Sequence, residues 1–204
     1  MIQALGHSVA GIEIVKAKQV GLYDVKVVRG DTTEAICAWL GENGYGYGEN
    51  DEAVFEDYVD RGWCFVAAKL HADPNTPEQI IVAEGMAAPL ILQFASKSPV
   101  YPLALTSVAG TKTEVLLYAL ADSKLTCGER LRLQRAREID PEKALHVPLA
   151  MAEVEKWALF DDMPDKPMML CKFKGRLPPE KMKRDLVLEP AADNEPYRET
   201  KVVW

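Results

Sequence analysis

Residues 30–70 read GDTTEAICAWLGENGYGYGENDEAVFEDYVDRGWCFVAAKL, and this stretch decides the fold. It predicts a helix, a glycine–tyrosine loop, a second helix and a strand. Asp31 is a suitable N-cap, and the Glu34 carboxylate is spaced to reach back to it. Ile36, Trp39 and Leu40 recur at helical spacing, and Gly44 supplies a C-terminal stop. Asn50 is placed to cap the second helix. Val54, Phe55, Tyr58 and Val59 form that helix's apolar face, and Gly62 ends it. Residues 63–70 follow as a strand.

Working outward, residues 11–15 and 20–28 are rich in valine and isoleucine and read as strands. Residues 71–78 hold the breakers Pro74, Asn75 and Pro77, and short apolar runs follow at 79–83 and 89–94. Residues 101–108 and 113–121 read as two further strands. In the second, Val115, Leu117 and Ala119 share one face, and Glu114, Leu116, Tyr118 and Leu120 share the other. Both faces are mostly apolar, which predicts a central strand covered on both sides. Leu131 and Leu133 alternate with Arg130 and Arg132, as in a half-exposed strand. Asp140-Pro141 opens a helical turn, and Met151, Val154 and Ala158 give residues 149–160 a helical period. Residues 168–174 read as a strand, Pro179 starts a short helix running to Lys183, and residues 186–188 are extended. Strands outnumber helices and do not alternate with them regularly. The expected class is therefore α+β: a mixed, mostly antiparallel sheet with the early helix hairpin packed on it. The expected organisation is a single domain over residues 1–189. A polar C-terminal tail follows over 190–204, with 201–204 able to dock as a terminal strand.

The 204 residues fit a prior of about 150 per domain, and a chain of this size buries about 70% of its unfolded surface. An apolar fraction of 48% and a charged fraction of 27% belong to an ordinary globular chain. The net charge of −7 is concentrated early: residues 1–102 hold 7 basic and 14 acidic side chains. That surface repels phosphate-rich partners, so no nucleic-acid partner is expected. Cys37, Cys64, Cys127 and Cys171 form no C-x-x-C pair and read as free thiols acting as small hydrophobes. His7, His71 and His146 are scattered, and no cofactor is expected. No run approaches about 18 apolar residues, so no transmembrane helix is predicted. Residues 1–15 lack the basic start and apolar stretch of a secretory leader.

The loop Gly44-Tyr45-Gly46-Tyr47-Gly48 links the two helices. Its functional reading is a binding loop for a protein or a saccharide, with Tyr45 and Tyr47 as binding residues. Its structural reading has both rings folding back to cap the hairpin. Glu49, Asp51, Glu52, Glu56, Asp57 and Asp60 cluster, but their spacing fails the calcium-loop pattern, and no metal ligand is assigned. Arg130, Arg132, Arg135 and Arg137 carry no interleaved aromatics and read as solvated or salt-bridged. The motifs G-x-S-x-G, S-x-x-K and H-E-x-x-H are absent, and Gly110-Thr111-Lys112-Thr113 is only half of a phosphate loop. His71 with Asp73 and Ser107 has no positive support as a catalytic set, so no catalytic residue is named. Lys69 ends an apolar strand, and its default reading is snorkelling to the surface.

Several segments together resemble one family. They are Gln19-Val20-Gly21-Leu22-Tyr23-Asp24-Val25, Ala38-Trp39-Leu40 with Glu42-Asn43-Gly44-Tyr45, and Tyr58-Val59-Asp60-Arg61-Gly62-Trp63 with Phe65-Val66-Ala67 and Lys69-Leu70. Pro99-Val100-Tyr101-Pro102-Leu103, Leu105-Thr106-Ser107 and Leu177-Pro178-Pro179-Glu180-Lys181-Met182 before Asp185-Leu186 complete the set. Over residues 11–185 the chain resembles the bacterial family called domain of unknown function 2330. The resemblance implies an extracytoplasmic protein with a secretory leader and a further β-rich N-terminal portion, neither of which this sequence shows. A native start at Met1 implies the cytoplasm instead. The family has no agreed activity, so no site residue is carried over. The expected function is a non-catalytic binding or structural module of the bacterial cell envelope. The alternatives are a subunit of a larger assembly, and a hydrolase-like enzyme with a site built from scattered residues.

Overall fold

The computed structural model describes residues 8–9, 11–48, 51–70, 90–140 and 166–200. The chain divides into two compact units, Met1–Leu92 and Gln93–Trp204, each with a core of its own. The sequence reading draws one domain over residues 1–189. The class is α+β, and every strand ladder among the described residues is antiparallel.

In the first unit, β1 (Ser8–Val9), β2 (Ile12–Val20), β3 (Tyr23–Gly30) and β4 (Phe65–Leu70) form one sheet in that order. The expected strand at 20–28 is broken at its start. Gly21, at φ +54°, opens a two-residue turn between Val20 and Tyr23, and the residues before it extend β2. A bulge between Ile14 and Lys16 shifts the phase of β2. Ile12, Ile14, Ala17 and Gln19 thereby share the face that carries Asp24, Lys26 and Val28 of β3.

Helices α1 (Thr33–Glu42) and α2 (Glu52–Asp60) lie between β3 and β4 in the chain. The cap of α1 is Thr32, not the expected Asp31. The Asp31 amide is committed to the Gly11 carbonyl at 2.9 Å, and the extended Thr32 accepts from the Ala35 amide at 3.2 Å. Backbone and Thr32 hydrogen bonds hold the Glu34 carboxyl below its ordinary pKa. Ile36 buries fully with Val28, Ile12, Trp39 and Ala67. Phe55 and Tyr58 of α2 meet Phe65 of β4 edge to face, at 5.8 and 6.2 Å between ring centroids.

Both helices end alike. Gly44 (φ +69°) and Gly62 (φ +68°) take the left-handed conformation that glycine adopts without a Cβ penalty. The Gly44 and Tyr45 amides donate to Gly41 and Leu40, and the Gly62 and Trp63 amides to Val59 and Tyr58, closing two Schellman motifs. Trp63 then packs on Tyr58 at 5.4 Å, with the Arg61 guanidinium over both rings.

In the second unit, β6 (Thr113–Ala121), β8 (Arg132–Ile139), β9 (Met168–Leu177) and β12 (Tyr197–Arg198) form a sheet in the order β12-β8-β9-β6. Two short ladders complete it: β5 (Val100–Tyr101) with β10 (Leu186–Val187), and β7 (Leu125–Thr126) with β11 (Glu189–Pro190). Cys171 and Phe173 of β9 are fully buried with Leu103, Met182 and Leu186.

Three expectations are corrected in this unit. Residues 101–108 are not one strand: Pro102 stops β5, and α3 (Leu103–Thr106) follows with a 3-10 turn, Ser107–Ala109. The Ala104 amide donates to the Asp185 carboxylate at 3.1 Å, so a residue far along the chain caps this helix. Strand β6 is an edge of the sheet among the described residues, covered on one face only. Leu116 and Tyr118 are exposed, with Lys172 over the Tyr118 ring and Lys174 paired to Glu114 at 3.0 Å. The expected helix at Pro179 is a 3-10 turn, Pro179–Lys181.

The tail is tied down at Lys124 and at β12. The buried Lys124 ammonium pairs with Asp193 and donates to the Glu195 carbonyl, while its amide donates to Asn194 at 2.6 Å. Strand β12 then pairs with β8, a few residues before the segment expected to dock. Residues 201–204 lie outside the described residues, as do Asn50 and the expected elements at 71–83 and 149–160. All four cysteines are unpaired, with Cys37, Cys127 and Cys171 buried.

Candidate binding site

The loop after α1 folds back on the helices. Tyr45 stacks on Trp39 with centroids 5.9 Å apart, and Tyr47 meets Phe55 edge-on at 6.1 Å. The two tyrosines therefore serve different places. Tyr45 lines a concavity of about 430 Å³, while Tyr47 sits outside it beside Cys37.

That concavity lies on the helix-bearing face of the first sheet, beyond the C-terminal end of α1. It is lined by Lys18, Gln19, Asp24, Lys26, Asn43, Tyr45 and Lys69, with Ala17 and Val25. The register explains the convergence: Asp24 stands opposite both Gln19 and Lys69, and Lys26 opposite Ala17. Asn43 is the hub. Its Oδ1 accepts from Lys26 Nζ at 3.0 Å, its backbone carbonyl accepts from Lys69 Nζ, and its Nδ2 donates to the Trp39 carbonyl at 2.9 Å. Helix α1 has no basic residue in its last turn, so these two sheet lysines supply the positive charge that its C-terminus favours. Lys69 also lies over the Tyr45 ring at 4.8 Å, and Lys26 over Trp39 at 5.5 Å. Burial first, then the nearby Asp24 carboxylate, raises the Tyr45 phenol above its ordinary pKa. The phenol is thus a neutral donor and acceptor at pH 7. The chemistry on offer is hydrogen bonding of both signs beside an aromatic edge.

Sequence reading named Tyr45 and Tyr47, weighed Lys69 only as a snorkelling side chain, and did not bring Asp24, Lys26 or Asn43 to the concavity. The available signal was Asp24 and Lys26, which alternate with Val28 on a strand face that should be apolar throughout.

The other candidate groups are engaged as follows. Asp51 accepts from the Gly48 amide at 2.5 Å, and Asp57 pairs with Arg61 at 2.6 Å. Glu49 lies outside the described residues, and those described hold no group of three metal-binding side chains. Arg132 pairs with Glu199 at 2.9 Å, and the Arg130 guanidinium donates to the Arg184 and Asp185 carbonyls. The Ser107 hydroxyl donates to the Ala104 carbonyl at 2.6 Å. His71 and Asp73, the other members of the unsupported set, lie outside the described residues, as do His7 and His146.

The fold and this site define an α+β chain of two units, with a polar concavity at the end of a capped helix. The chain belongs to a family of uncharacterized proteins conserved in bacteria, DUF2330, whose model matches residues 3–150. The late segment from Leu177 to Leu186, also read as family-like, lies beyond the matched residues. No curated protein and no solved structure matches the chain.

Proposed function

We propose that the chain is a non-catalytic binding module of the bacterial cell envelope, taking a small polar ligand of the saccharide type at the Tyr45 concavity. One observation carries this reading. The concavity gathers a phenol, an amide, a carboxylate and lysines, while its lining holds no Ser, Thr, Cys or His to act as nucleophile or imidazole base. A ring edge flanked by hydrogen-bonding groups of both signs suits a hydroxyl-rich ligand. Tyr47 belongs to the loop's packing on α2 in this reading. The envelope assignment follows the family resemblance, and immunoblots of separated bacterial fractions test it.

Saturation-transfer NMR against a panel of neutral and acidic oligosaccharides tests the ligand class. Tyr45→Phe keeps the ring on Trp39 but removes the hydroxyl, and it should weaken binding by about tenfold with little loss of stability. Binding by the wild type that survives both Tyr45→Phe and Gln19→Ala would reject the site.

A second reading, a subunit of a larger assembly, is favoured by the opposite face of the same sheet. Val20, Val66 and Leu70 are exposed there, beside Val25, Val27 and Ala68. Light scattering on the wild type and on Val66→Lys with Leu70→Lys distinguishes the readings. A mass that falls in the variant supports assembly through this face, and a monomer in both counts against it.

A further inference from the structure

A basin of about 1000 Å³ opens in the second unit, at the sheet end opposite Ile139 and Met168. Six cations line it: Lys112 before β6, Arg130 before β8, Arg176 on β9, and Lys181, Lys183 and Arg184 after it. Glu129 and Glu180 are its only carboxylates. Arg130 is held in the wall by the Arg184 and Asp185 carbonyls. The other five cations have no carboxylate partner among the described residues, which is equally true of Lys97, Arg135, Arg137, Lys172 and Arg198 of the same unit; what sets the basin apart is that six cations gather around one concavity. They do so in a chain whose net charge is −7.

Unpaired like charges around one concavity repel each other, and each costs the folded state a little. A bound polyanion turns that repulsion into attraction. Guanidinium groups match phosphate oxygens in pairs, and ammonium groups meet them as point charges. The lining holds no aromatic ring, so it lacks the aromatic platform on which a nucleobase or a sugar face ordinarily stacks.

We propose that this basin binds a ligand bearing two or more closely spaced phosphate groups, either a free oligophosphate or a phosphate-bearing lipid headgroup. The site is separate from the Tyr45 concavity and does not depend on it.

The test is calorimetric titration of the full chain with sodium tripolyphosphate and, in parallel, with inorganic phosphate. Tripolyphosphate should bind, and should weaken about tenfold or more between about 50 and 300 mM salt. Inorganic phosphate should bind about tenfold more weakly, having one group for the basin to hold. The triple variant Arg176→Gln, Lys181→Gln, Arg184→Gln should lose about tenfold or more in affinity. Its melting temperature should stay at or above that of the wild type, because repulsion is relieved. The pair Arg135→Gln, Arg137→Gln removes exposed charge from β8 outside the basin and should stay within about twofold. Co-sedimentation with cardiolipin–phosphatidylcholine vesicles, displaced by tripolyphosphate, would identify the headgroup as the source. Tripolyphosphate binding without co-sedimentation would identify a soluble oligophosphate. The proposal is overturned by no heat and no thermal shift at millimolar tripolyphosphate, or by equal losses in the two variants. Vesicle binding that tripolyphosphate does not displace, or tighter binding of oligouridylate than of tripolyphosphate, overturns it too.

Discussion

Lys69, one residue from the end of β4, closes a helix. Its ammonium reaches the backbone carbonyl of Asn43, the C-cap of α1, and covers the Tyr45 ring, so one side chain joins β4, the end of α1 and the loop. Gly62 acts more locally, and nothing lies within 4 Å of where its Cβ would stand. Gly62→Ala should therefore cost only the left-handed conformational penalty, about 1 kcal/mol, in urea unfolding. Gly44→Ala should cost more, because the new methyl would crowd Lys69 Nζ at 3.2 Å. Asp193 gives a pH-dependent prediction. Its bond from Lys124 holds its carboxyl below the ordinary value, so the folded pKa lies below the unfolded one, near about 3.9. The stability it confers is present above that unfolded value and lost as pH falls through the folded one. Asp193→Asn should flatten the stability difference between pH 6 and pH 3, read by chemical unfolding at both (roughly the window of the carboxylate titration).

Elements in this chain are completed from a distance as often as locally. The short α3 receives its N-terminal acceptor from Asp185, and the end of α1 receives its cations from β3 and β4. Asp185→Ala should leave the Ala104 amide without that acceptor. The expected loss is about 1 kcal/mol, with faster hydrogen exchange confined at first to α3 and the 3-10 turn after it. By contrast, the helix hairpin carries its own stops, and the two glycine-based Schellman motifs need nothing beyond the adjacent residues. This explains why that stretch is legible in sequence and the 101–108 segment is not. Pro102 is local evidence against a strand, but the residue that makes a helix worthwhile there lies beyond any sequence window.

Each unit has its own core, one centred on Ile36 and Val28 and the other on Phe173, Cys171 and Leu103. Truncating either centre should cost about 3–5 kcal/mol. Phe173→Ala should speed hydrogen exchange in β6, β8 and β9 more than in β3, and Ile36→Ala should do the reverse. Equal loss of protection across all four strands in both variants would mean that the cores unfold as one. Charge is divided too: the first unit holds 6 basic and 14 acidic residues, the second 18 and 17. The split makes a basic basin possible in a chain of acidic total.

Alternation, helical spacing and glycine stops act over a few residues, so the α+β class, the helix hairpin, the bounds of β6 and most of β9 could be read from the chain alone. Tertiary structure chose Thr32 over Asp31 as a cap, made β6 an edge, and separated Tyr45 from Tyr47. It also brought Asp24, Asn43 and Lys69 to one concavity and six cations to another. Those outcomes depend on sheet register and on turns that join residues far apart in sequence, and no local preference encodes such a distance.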